Sequence, residues 1–591
     1  MSLKTCVEWA FLDTRHWWKS KITLPIKTEI QINKYSTEIK SASDEYIIRS
    51  PYKIEIPKKT YTELIWERHS KWKNHEAVVC GLTNKKYTFT DLKEYSTIIG
   101  KCLVNEGLCG GDVIAILLPN SPEYISIILG ASGRGLTICS INPLYTPDEI
   151  SHQLKNSGAK KVITFPHKVQ DVMKAVDNLK MTKCLPPNFK VLSIRIDEQS
   201  SPNLPKEIIS LNDLVNRLAV TNSPKTVPSS IADDSLAFIS HSSGTTGLPK
   251  GVCLTHRNVT ASILQMMEGH TTFFKETNDN HQDVIPMFLP IFHNYALEMT
   301  LCALYNGSKL VTLPKFEEKT FLSTLKQHKA TILFVVPPTI LFLGSNPLVT
   351  EDHLKYLKVI CTAAAPVGKD DIDRCLKKAL KNINFIHAYG QTEAMCCLTH
   401  TPYGDKNYSS VGKALANTEL KIIDLQTGHP KGPNEEGELC FKGPQMSLGY
   451  LNNPDATKEA IDSEGWFHTG DVGYYDKDGF FYIVDRIKEM VKVKGFQVAP
   501  AELEHILRSK PEIEAAGVIG IPDTRKGEAL VAFIKKKEGS SITESAIREF
   551  LAGKVAPFKL IEKYIYVDSI PTTQSGKILR KELKKMYGSM A

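Results

Sequence analysis

One short stretch of the chain has the composition of a phosphate-binding loop. Residues 241–251 read HSSGTTGLPKG and follow the apolar run LAFI at 236–239. Glycines let backbone amides converge on an anion, hydroxyl side chains add hydrogen-bond donors, and the lysine adds a positive charge. The candidate phosphate ligands are Ser242, Ser243, Gly244, Thr245, Thr246, Gly247 and Lys250.

The spacing of this loop differs from that of the common nucleotide loop GxxxxGK[ST]. Lys250 follows a Leu-Pro pair, three residues after Gly247, and is itself followed by Gly251. This spacing excludes a P-loop kinase or GTPase pattern. Judged by composition alone, a flexible Ser/Gly-rich linker is the alternative.

Length and composition describe a folded protein of more than one domain. The chain has 591 residues, a length that exceeds a single ordinary core. Its composition, 42% hydrophobic and 23% charged residues, is that of a folded protein. The net charge of +8 is spread along the chain, so no nucleic-acid partner is expected. No uninterrupted apolar run reaches about 18 residues, so no transmembrane segment is expected.

The cysteines and the termini bear on the cellular compartment. The 13 cysteines include no CxxC pair, which favours reduced thiols and a cytoplasmic location. The basic first 45 residues leave a mitochondrial presequence as an alternative, although Glu8 and Asp13 are unusual in such peptides. The C-terminus is not an SKL-type peroxisomal signal. We expect a monomer or a weak dimer.

Short apolar runs alternate with amphipathic segments from Tyr61 onward. This alternation favours an α/β fold with largely parallel sheets. The polar, Pro-rich stretch around 200–230 is expected to be a surface loop or a subdomain boundary. A helix is predicted from residue 123, and the predicted strands include 113–117, 160–165, 330–336 and 357–364.

The pattern changes twice toward the C-terminus. Between about 410 and 490 short strands and tight turns predominate, and Asp478-Gly479 predicts a hairpin. A small α+β unit follows, with helices predicted to open at Pro500 and after Thr543. The expected domains are an extension of unknown role at 1–50, a large domain at 51–487 with two parallel-rich sheets and a β-barrel-like part, and a small domain at 488–591.

Seven motifs occur in a fixed order along residues 55–585. They are HSSGTTGLPKG, LPIFHNYAL at 289–297, TAAAP at 362–366, YGQTEA at 389–394, GWFHTGDVG at 465–473, DRIKEMVKVKGFQVAPAELE at 485–504 and PTTQSGKILRKEL at 571–583. In this order the motifs resemble those of the adenylate-forming superfamily of acyl-CoA synthetases, luciferases and adenylation domains. The closest resemblance is to its coumarate:CoA ligase and medium-chain acyl-CoA ligase branch.

The resemblance implies an ATP-dependent acid:CoA ligase that works in two steps. A carboxylate attacks the α-phosphorus of ATP to give acyl-AMP and pyrophosphate, and the thiol of coenzyme A then attacks the acyl carbon and releases AMP. The implied ligands are ATP, Mg²⁺, CoA and a carboxylic acid. The alternatives are a luciferase-like or carrier-protein-directed adenylating enzyme and, more remotely, a non-catalytic ligand sensor.

The resemblance also implies roles for single residues in the first step. Glu393 would bind Mg²⁺, Lys577 would stabilise the charge that develops during transfer, and Asp471 and Arg486 would hold the ribose. Without the resemblance, Asp471 is equally well explained as a turn cap, and Lys577 is better explained as a solvated lysine in a lysine-rich tail. Other implied nucleotide contacts are Ala364, His387, Ala388, Tyr389, Gly390, Thr392 (a catalytic contact to the α-phosphate) and Lys488.

The second step is implied to use a different set of residues, because the CoA thiol must reach the acyl carbon. The small, mobile domain would rotate about Lys488 and bring Lys492 and Gln497 to the site as catalytic residues. Lys494 and Gly495 would contact CoA.

The acid itself is the least determined ligand. His293 would lie beside the acyl carbonyl and act as a gate, although a lone histidine is also common in a protein core. Flexible Met395 and the small Cys396 and Cys397 suit an aliphatic chain at least as well as a planar ring. The sequence therefore predicts a fatty acid or an aryl-propenoate-like acid, with the aliphatic acid preferred. The implied acyl pocket comprises His293, Tyr295, Met299, Cys396 and Cys397.

Overall fold

The computed structural model describes several stretches of the chain beyond residue 45. They are residues 46–196, 204–220, 231–242, 249–267, 272–365, 367–379, 382–493, 496–523, 525–552, 554–573 and 576–590. Within these stretches, no helix combines the length and the apolar character needed to cross a membrane.

A seven-stranded sheet forms one layer of the large domain. Neighbouring strands are parallel except for the edge pair Lys250–Thr255 and Leu236–Ser242, which is antiparallel. Its central strands are short runs rich in Val and Ile, as expected for a parallel sheet covered on both faces. In spatial order the strands are Lys250–Thr255, Leu236–Ser242, Thr137–Ser140, Val113–Leu117, Lys161–Thr164, Lys190–Ser193 and Ile209–Ser210.

Two further sheets of the large domain combine parallel and antiparallel pairs. The four-stranded sheet has the order Val284–Met287, Lys309–Thr312, Glu76–Cys80 and Lys86–Thr88, of which the last pair is antiparallel. The five-stranded sheet has the order Ile332–Val335, Val359–Thr362, Asn384–Gly390, Cys397–His400 and Lys413–Ala414. Its first three strands are parallel. Because parallel strands end at the same edge, the motifs TAAAP and YGQTEA lie side by side.

An antiparallel sheet follows, as the turn-rich sequence predicts. In spatial order it comprises Ile48–Arg49, Glu419–Ile423, Gly437–Lys442, Phe467–Tyr475 and Phe481–Arg486. The predicted hairpin is present, since Tyr475 pairs with Phe481 across the turn. Gly479 in this turn has φ +79°, a left-handed conformation that glycine adopts without steric cost.

The C-terminal part has its own sheet and its own hydrophobic core. The strands Phe496–Val498, Val491–Val493, Gly527–Lys536 and Ile513–Asp523 are antiparallel in this order, and Lys563–Tyr566 runs parallel to Gly527–Lys536. The helices are Pro500–Arg508, Glu544–Ala552 and Arg580–Met590. As predicted, Pro500 opens the first helix, and the Ala546 amide donates to the Thr543 hydroxyl at the start of the second.

The helices of the large domain pack on its sheets and on one another. Capping boxes at Thr60, Thr88 and Thr146 fix the start of three of them. Two helices approach closely at Gly130, where a Cβ would lie 2.3 Å from the Ser96 carbonyl oxygen. Among the described residues, the α-helices of the large domain are Tyr61–Glu67, Phe89–Asn105, Pro122–Ser132, Pro147–Ser157, Val169–Met181, Leu211–Val220, His256–Met267, Asn294–Tyr305, Glu318–Gln327, Pro337–Ser345, Glu351–Leu354, Lys369–Lys378 and Pro454–Ala460. Short 3₁₀ turns in the described parts of the two domains are His69–Lys71, Pro166–Lys168, Thr392–Ala394 and Pro557–Lys559.

The expected α/β architecture with a smaller α+β domain is confirmed, but the expected loop at 200–230 is wrong. Its described part contains the strand Ile209–Ser210 and the helix Leu211–Val220. Leu211 and Val215, one helical turn apart, are buried in the core. This apolar spacing outweighs the flanking Pro and Ser residues, which dominate the composition of the stretch.

Candidate active site

The predicted phosphate-binding loop is anchored at both ends by an antiparallel strand pair. Ser242, the last residue of one strand, pairs directly with Lys250, the first residue of the next. The two strands therefore bring both ends of the loop together at the edge of the seven-stranded sheet. The predicted ligands Ser243, Gly244, Thr245, Thr246 and Gly247 lie outside the described residues.

An aromatic ring connects this loop to the predicted magnesium ligand. The ammonium of Lys250 lies 4.7 Å from the ring centroid of Tyr450, a cation–π contact. The Tyr450 hydroxyl donates to Glu393 Oε1 at 3.0 Å, and Glu393 is only 8% exposed. Sequence reasoning missed Tyr450, because this contact spans 57 residues and its only local signal is a Gly-Tyr pair after the strand Gly437–Lys442.

Asp471 and Arg486 lie opposite each other on neighbouring strands, and Tyr389 completes the group. The Tyr389 hydroxyl donates to Asp471 Oδ2 at 2.7 Å, and Arg486 Nε is 3.3 Å from Asp471 Oδ1. Burial raises the pKa of Asp471, while the Arg486 cation opposes this shift. The group thus combines a carboxylate acceptor and a guanidinium donor, as recognition of vicinal hydroxyls requires.

Lys577 reaches the same group from the small domain. Burial lowers the pKa of this lysine to about 8, and the nearby Arg486 cation also lowers it, whereas Glu489 and Asp471 raise it. A cation beside a carboxylate and a guanidinium, at the edge of the nucleotide residues, can neutralise an incoming anion.

Hydrogen bonds within the Lys577 loop fix its shape, and Gly576 lies close to the large domain. Thr573 and Lys577 exchange two hydrogen bonds, at 2.8 Å from the Thr573 amide to the Lys577 carbonyl and at 3.1 Å from the Lys577 amide to the Thr573 hydroxyl. Gly576 has φ +79°, and a Cβ on it would lie 2.5 Å from Pro338 at the start of the helix Pro337–Ser345. The loop therefore approaches the large domain so closely that only glycine fits.

His293 and Thr392 lie where the helix Asn294–Tyr305 begins. The Asn294 side-chain amide donates to the Thr392 carbonyl at 3.2 Å, which ties the helix to the YGQTEA segment. His293 is exposed as a residue, but the protein packed around its imidazole lowers the pKa to about 4 by desolvation. At neutral pH this imidazole is therefore uncharged.

A cavity of about 170 Å³ lies beside His293 and Thr392 in the large domain. It brings together all five residues of the predicted acyl pocket, together with Ala364, Ala388, Tyr389, Gly390 and Thr392 of the predicted nucleotide set. The lining comprises Met266, Leu289, Pro290, His293, Asn294, Tyr295, Ala296, Glu298, Met299, Val336, Cys361, Ala363, Ala364, Ala388, Tyr389, Gly390, Gln391, Thr392, Cys396 and Cys397.

Close backbone packing explains the small residues in this wall. A Cβ on Gly390 would lie 1.6 Å from the Cys396 carbonyl oxygen, so no larger residue fits there. Ala363, where the family more usually has glycine, is accommodated in the wall, whereas Ala364 adopts φ +79°, a strained conformation for a residue with a side chain. His387 is not among the lining residues: it is buried, its Nδ1 lies 3.3 Å from the Tyr408 carbonyl oxygen, and desolvation lowers its pKa to about 4.

The residues predicted for the second step are not brought to this group. Lys492 and Gln497 are exposed and pair with each other across the hairpin of the small domain. Lys488, the predicted hinge, is exposed in the turn that follows the strand Phe481–Arg486. The predicted CoA contacts Lys494 and Gly495 lie outside the described residues. The structure therefore combines Lys577, and not Lys492, with the nucleotide residues.

Comparison with known proteins agrees with the geometry. Residues 65–451 match the family model of the AMP-binding enzymes, and residues 502–577 match that of the AMP-binding enzyme C-terminal domain. The chain is 37% identical over 535 residues to a 4-coumarate-CoA ligase of Vanilla planifolia, and the match covers 89% of this chain and 93% of that protein. It is 36% identical to 4-coumarate-CoA ligase 1 of Solanum tuberosum over 93% of this chain and 98% of that protein.

A solved structure shares the same architecture. ATP-bound MatB from Rhodopseudomonas palustris superposes with a TM-score of 0.80 at 25% identity, covering 90% of this chain and 100% of that chain.

Proposed function

Since the chain belongs to the AMP-binding enzyme family and is an ATP-dependent acid:CoA ligase, we propose that its acid is an aryl-propenoate. The acid forms an acyl-AMP with ATP and then a thioester with CoA. This proposal departs from the aliphatic preference drawn from Met395, Cys396 and Cys397.

The size of the cavity is the observation that carries the proposal. The cavity has a volume of about 170 Å³ and is lined mainly by apolar side chains. An apolar cavity of roughly 150 Å³ accommodates one benzene ring, so this cavity suits a compact ring better than a long alkyl chain. The names of the two relatives, which are ligases of 4-coumarate, support the same class of acid. His293 is proposed as the gate beside the carbonyl, and Tyr295, Met299, Cys396 and Cys397 as contacts to the ring.

For the first step we assign the nucleotide to the group around Asp471. Asp471 and Arg486 hold the ribose, and Thr392 contacts the α-phosphate. The Lys577 ammonium lies between the acid carboxylate and the α-phosphate and reduces their mutual repulsion. The proximity of Lys577 to Asp471 and Arg486 supports this assignment.

Glu393 is proposed as the ligand of Mg²⁺. Its carboxylate oxygens are of the type that this ion prefers, and its contact with Tyr450 keeps it beside the end of the phosphate loop. When bound, the ion supplies positive charge that offsets the charge of the phosphates. Lys250 and Ser242 hold the departing pyrophosphate from the other side of this site.

The second step is proposed to need a different arrangement of the small domain. Rotation about Lys488 removes Lys577 and brings in Lys492, Gln497 and the CoA contacts Lys494 and Gly495. The proposed boundary between the domains accordingly lies between residues 487 and 488. The buried cysteines Cys139, Cys302 and Cys361 carry free thiols, which supports the proposal of a cytoplasmic enzyme.

The test is the rate of CoA-thioester formation with ATP and a panel of acids. We expect kcat/KM for 4-coumarate and cinnamate to exceed that for octanoate and palmitate by at least about tenfold. Methylene groups that do not fit an apolar pocket typically reduce kcat/KM by at least this factor. Lys577→Ala provides the blank for each acid. A higher kcat/KM for either fatty acid would overturn the proposed acid, and thioester formation with none of the acids would overturn the assignment of the site.

A further inference from the structure

One carboxyl side chain is among the residues that line the otherwise largely apolar cavity. Glu298 lies on the helix Asn294–Tyr305, is fully buried and is among the residues that line the cavity. The Ser262 hydroxyl, from the neighbouring helix His256–Met267, donates to Oε1. Among the described residues, Oε2 accepts no hydrogen bond of ordinary length, and besides Ser262 only the Cys396 thiol and the Cys397 amide lie near enough to the carboxyl group to influence it. A buried carboxylate oxygen without a donor is costly, so its presence calls for an explanation.

The surroundings of Glu298 supply little compensation for its charge. Burial raises its pKa to about 7, and the opposing influences are the Ser262 hydroxyl, the Cys396 thiol and the Cys397 amide. Among the described residues, no lysine, arginine or histidine contributes to this shift. The thiol is a weak donor and the Cys397 amide does not reach Oε2 at ordinary hydrogen-bond length, so a hydroxyl group entering the cavity would improve the hydrogen bonding of this carboxyl group.

The position of Glu298 along its helix places it away from the reacting end of the cavity. Asn294 contacts Thr392 at the first turn of the helix, beside His293. Glu298 follows four residues later, which is about 6 Å farther along the helix axis. Its neighbours in the lining at this level are Met299, Cys396 and Cys397. A group at the remote end of the acid is therefore the one that approaches Glu298.

We propose that Glu298 is a specificity determinant and accepts a hydrogen bond from a hydroxyl group at the end of the acid remote from its carboxylate. The inference rests on the proposed use of this cavity by the acid. An acid without such a group would leave the carboxyl buried against carbon, and sites built around a polar group discriminate strongly against ligands that cannot satisfy it.

The experiment compares matched pairs of acids that differ by one hydroxyl group. One pair is aromatic, 4-coumarate and cinnamate, and the other is aliphatic, an ω-hydroxy fatty acid and the unsubstituted acid of the same length. Faster reaction of the aromatic pair supports the proposed aryl-propenoate function, and faster reaction of the aliphatic pair overturns it. The ratio of kcat/KM within the reacting pair decides the role of Glu298, whichever class reacts, so the two proposals fail separately.

The variants are Glu298→Met, Glu298→Gln and the control Ser262→Ala. In the unmodified enzyme, assayed above pH ~8 so that the Glu298 carboxyl is ionised, we expect a preference of about 10- to 100-fold for the hydroxylated acid, the range of a hydrogen bond to a charged acceptor. Glu298→Met should bring the ratio to one or below by losing activity toward the hydroxylated acid and gaining it toward the other. Glu298→Gln, which keeps a neutral acceptor and the shape of the side chain, should lower the ratio several-fold.

The control separates specificity from packing. Ser262→Ala removes the donor to Oε1 without touching the acid, so it should retain a clear preference for the hydroxylated acid even where it lowers activity toward both. An unmodified enzyme with no preference for the hydroxyl group would overturn the inference. It would equally be overturned if the ratio were the same in Glu298→Gln or Glu298→Met as in the unmodified enzyme.

Discussion

Among single residues, Lys577 links the proposed chemistry most directly to solution conditions. Its ammonium lies in a partly buried group with Arg486 and Asp471, and burial lowers its pKa to about 8. A lysine with a lowered pKa is charged below that pH and loses its charge as the pH rises through it. The proposed role requires the charged form, because only the ammonium can offset the charge of the phosphates.

We therefore predict that adenylate formation declines in alkaline solution. In ATP–pyrophosphate exchange, kcat/KM for ATP, which reports ionisations of the free enzyme, should fall about tenfold per pH unit above pH ~8. Lys577→Arg should be slower but should lose this inflection, because arginine stays protonated. Lys585→Ala, which removes an exposed lysine near the C-terminus, should keep the profile of the unmodified enzyme. An identical alkaline decline in Lys577→Arg would contradict the assignment.

At the scale of elements, Arg580 joins three segments of the small domain. Its guanidinium donates from Nη2 to both carboxylate oxygens of Glu504 at 2.9 Å and from Nη1 to Glu489 at 3.2 Å. Glu504 belongs to the helix Pro500–Arg508 and is only 5% exposed. Glu489 lies in the turn beside Lys488, so this network fixes the start of the last helix relative to the connection between the domains.

Removing this cation should destabilise the small domain strongly. Arg580→Met leaves the Glu504 carboxylate buried and unpaired, which should lower the free energy of unfolding by about 3–5 kcal/mol. The double variant Arg580→Met/Glu504→Gln should recover much of this loss, since the unpaired charge is gone. Urea denaturation followed by circular dichroism measures both values. A double variant no more stable than the single one would show that packing, rather than charge, dominates at this position.

On the scale of the whole molecule, the two half-reactions should depend on different faces of the small domain. The structure has Lys577 beside Asp471 and leaves Lys492 and Gln497 exposed. In this arrangement only Lys577 of the two lysines interacts with the group around Asp471, so Lys492 would need a second arrangement of the domains to reach it.

We predict opposite defects for the two lysines. Lys577→Ala should reduce ATP–pyrophosphate exchange by about 10²–10³-fold, the usual loss for a group that stabilises transition-state charge, while thioester formation from a supplied acyl-AMP remains nearly normal. Lys492→Ala should retain exchange and lose thioester formation. Equal losses in both half-reactions for either variant would argue against rotation of the small domain.

The class of protein and the types of its elements could be predicted from the sequence. Seven motifs, in a fixed order, identified the family, because each is a short local pattern that does not depend on folding. The strands at 113–117 and 357–364 and the hairpin at Asp478-Gly479 were likewise visible, since hydrophobic periodicity and turn residues act over a few positions. The helix Leu211–Val220 was missed, because its neighbours Pro and Ser dominated the composition of that stretch.

The sequence by itself determined which residue types are available for the chemistry: a loop for phosphate, a carboxylate for a cation, a lysine near the C-terminus and an acid pocket of small and flexible side chains. Only the tertiary structure decided which of them meet. It brought Tyr450 to Glu393, Lys577 to Asp471, and the carboxyl group of Glu298 to an apolar cavity. The members of the first two pairs are 57 and 106 positions apart in the chain, and their proximity depends on how sheets and helices pack, which no local pattern encodes.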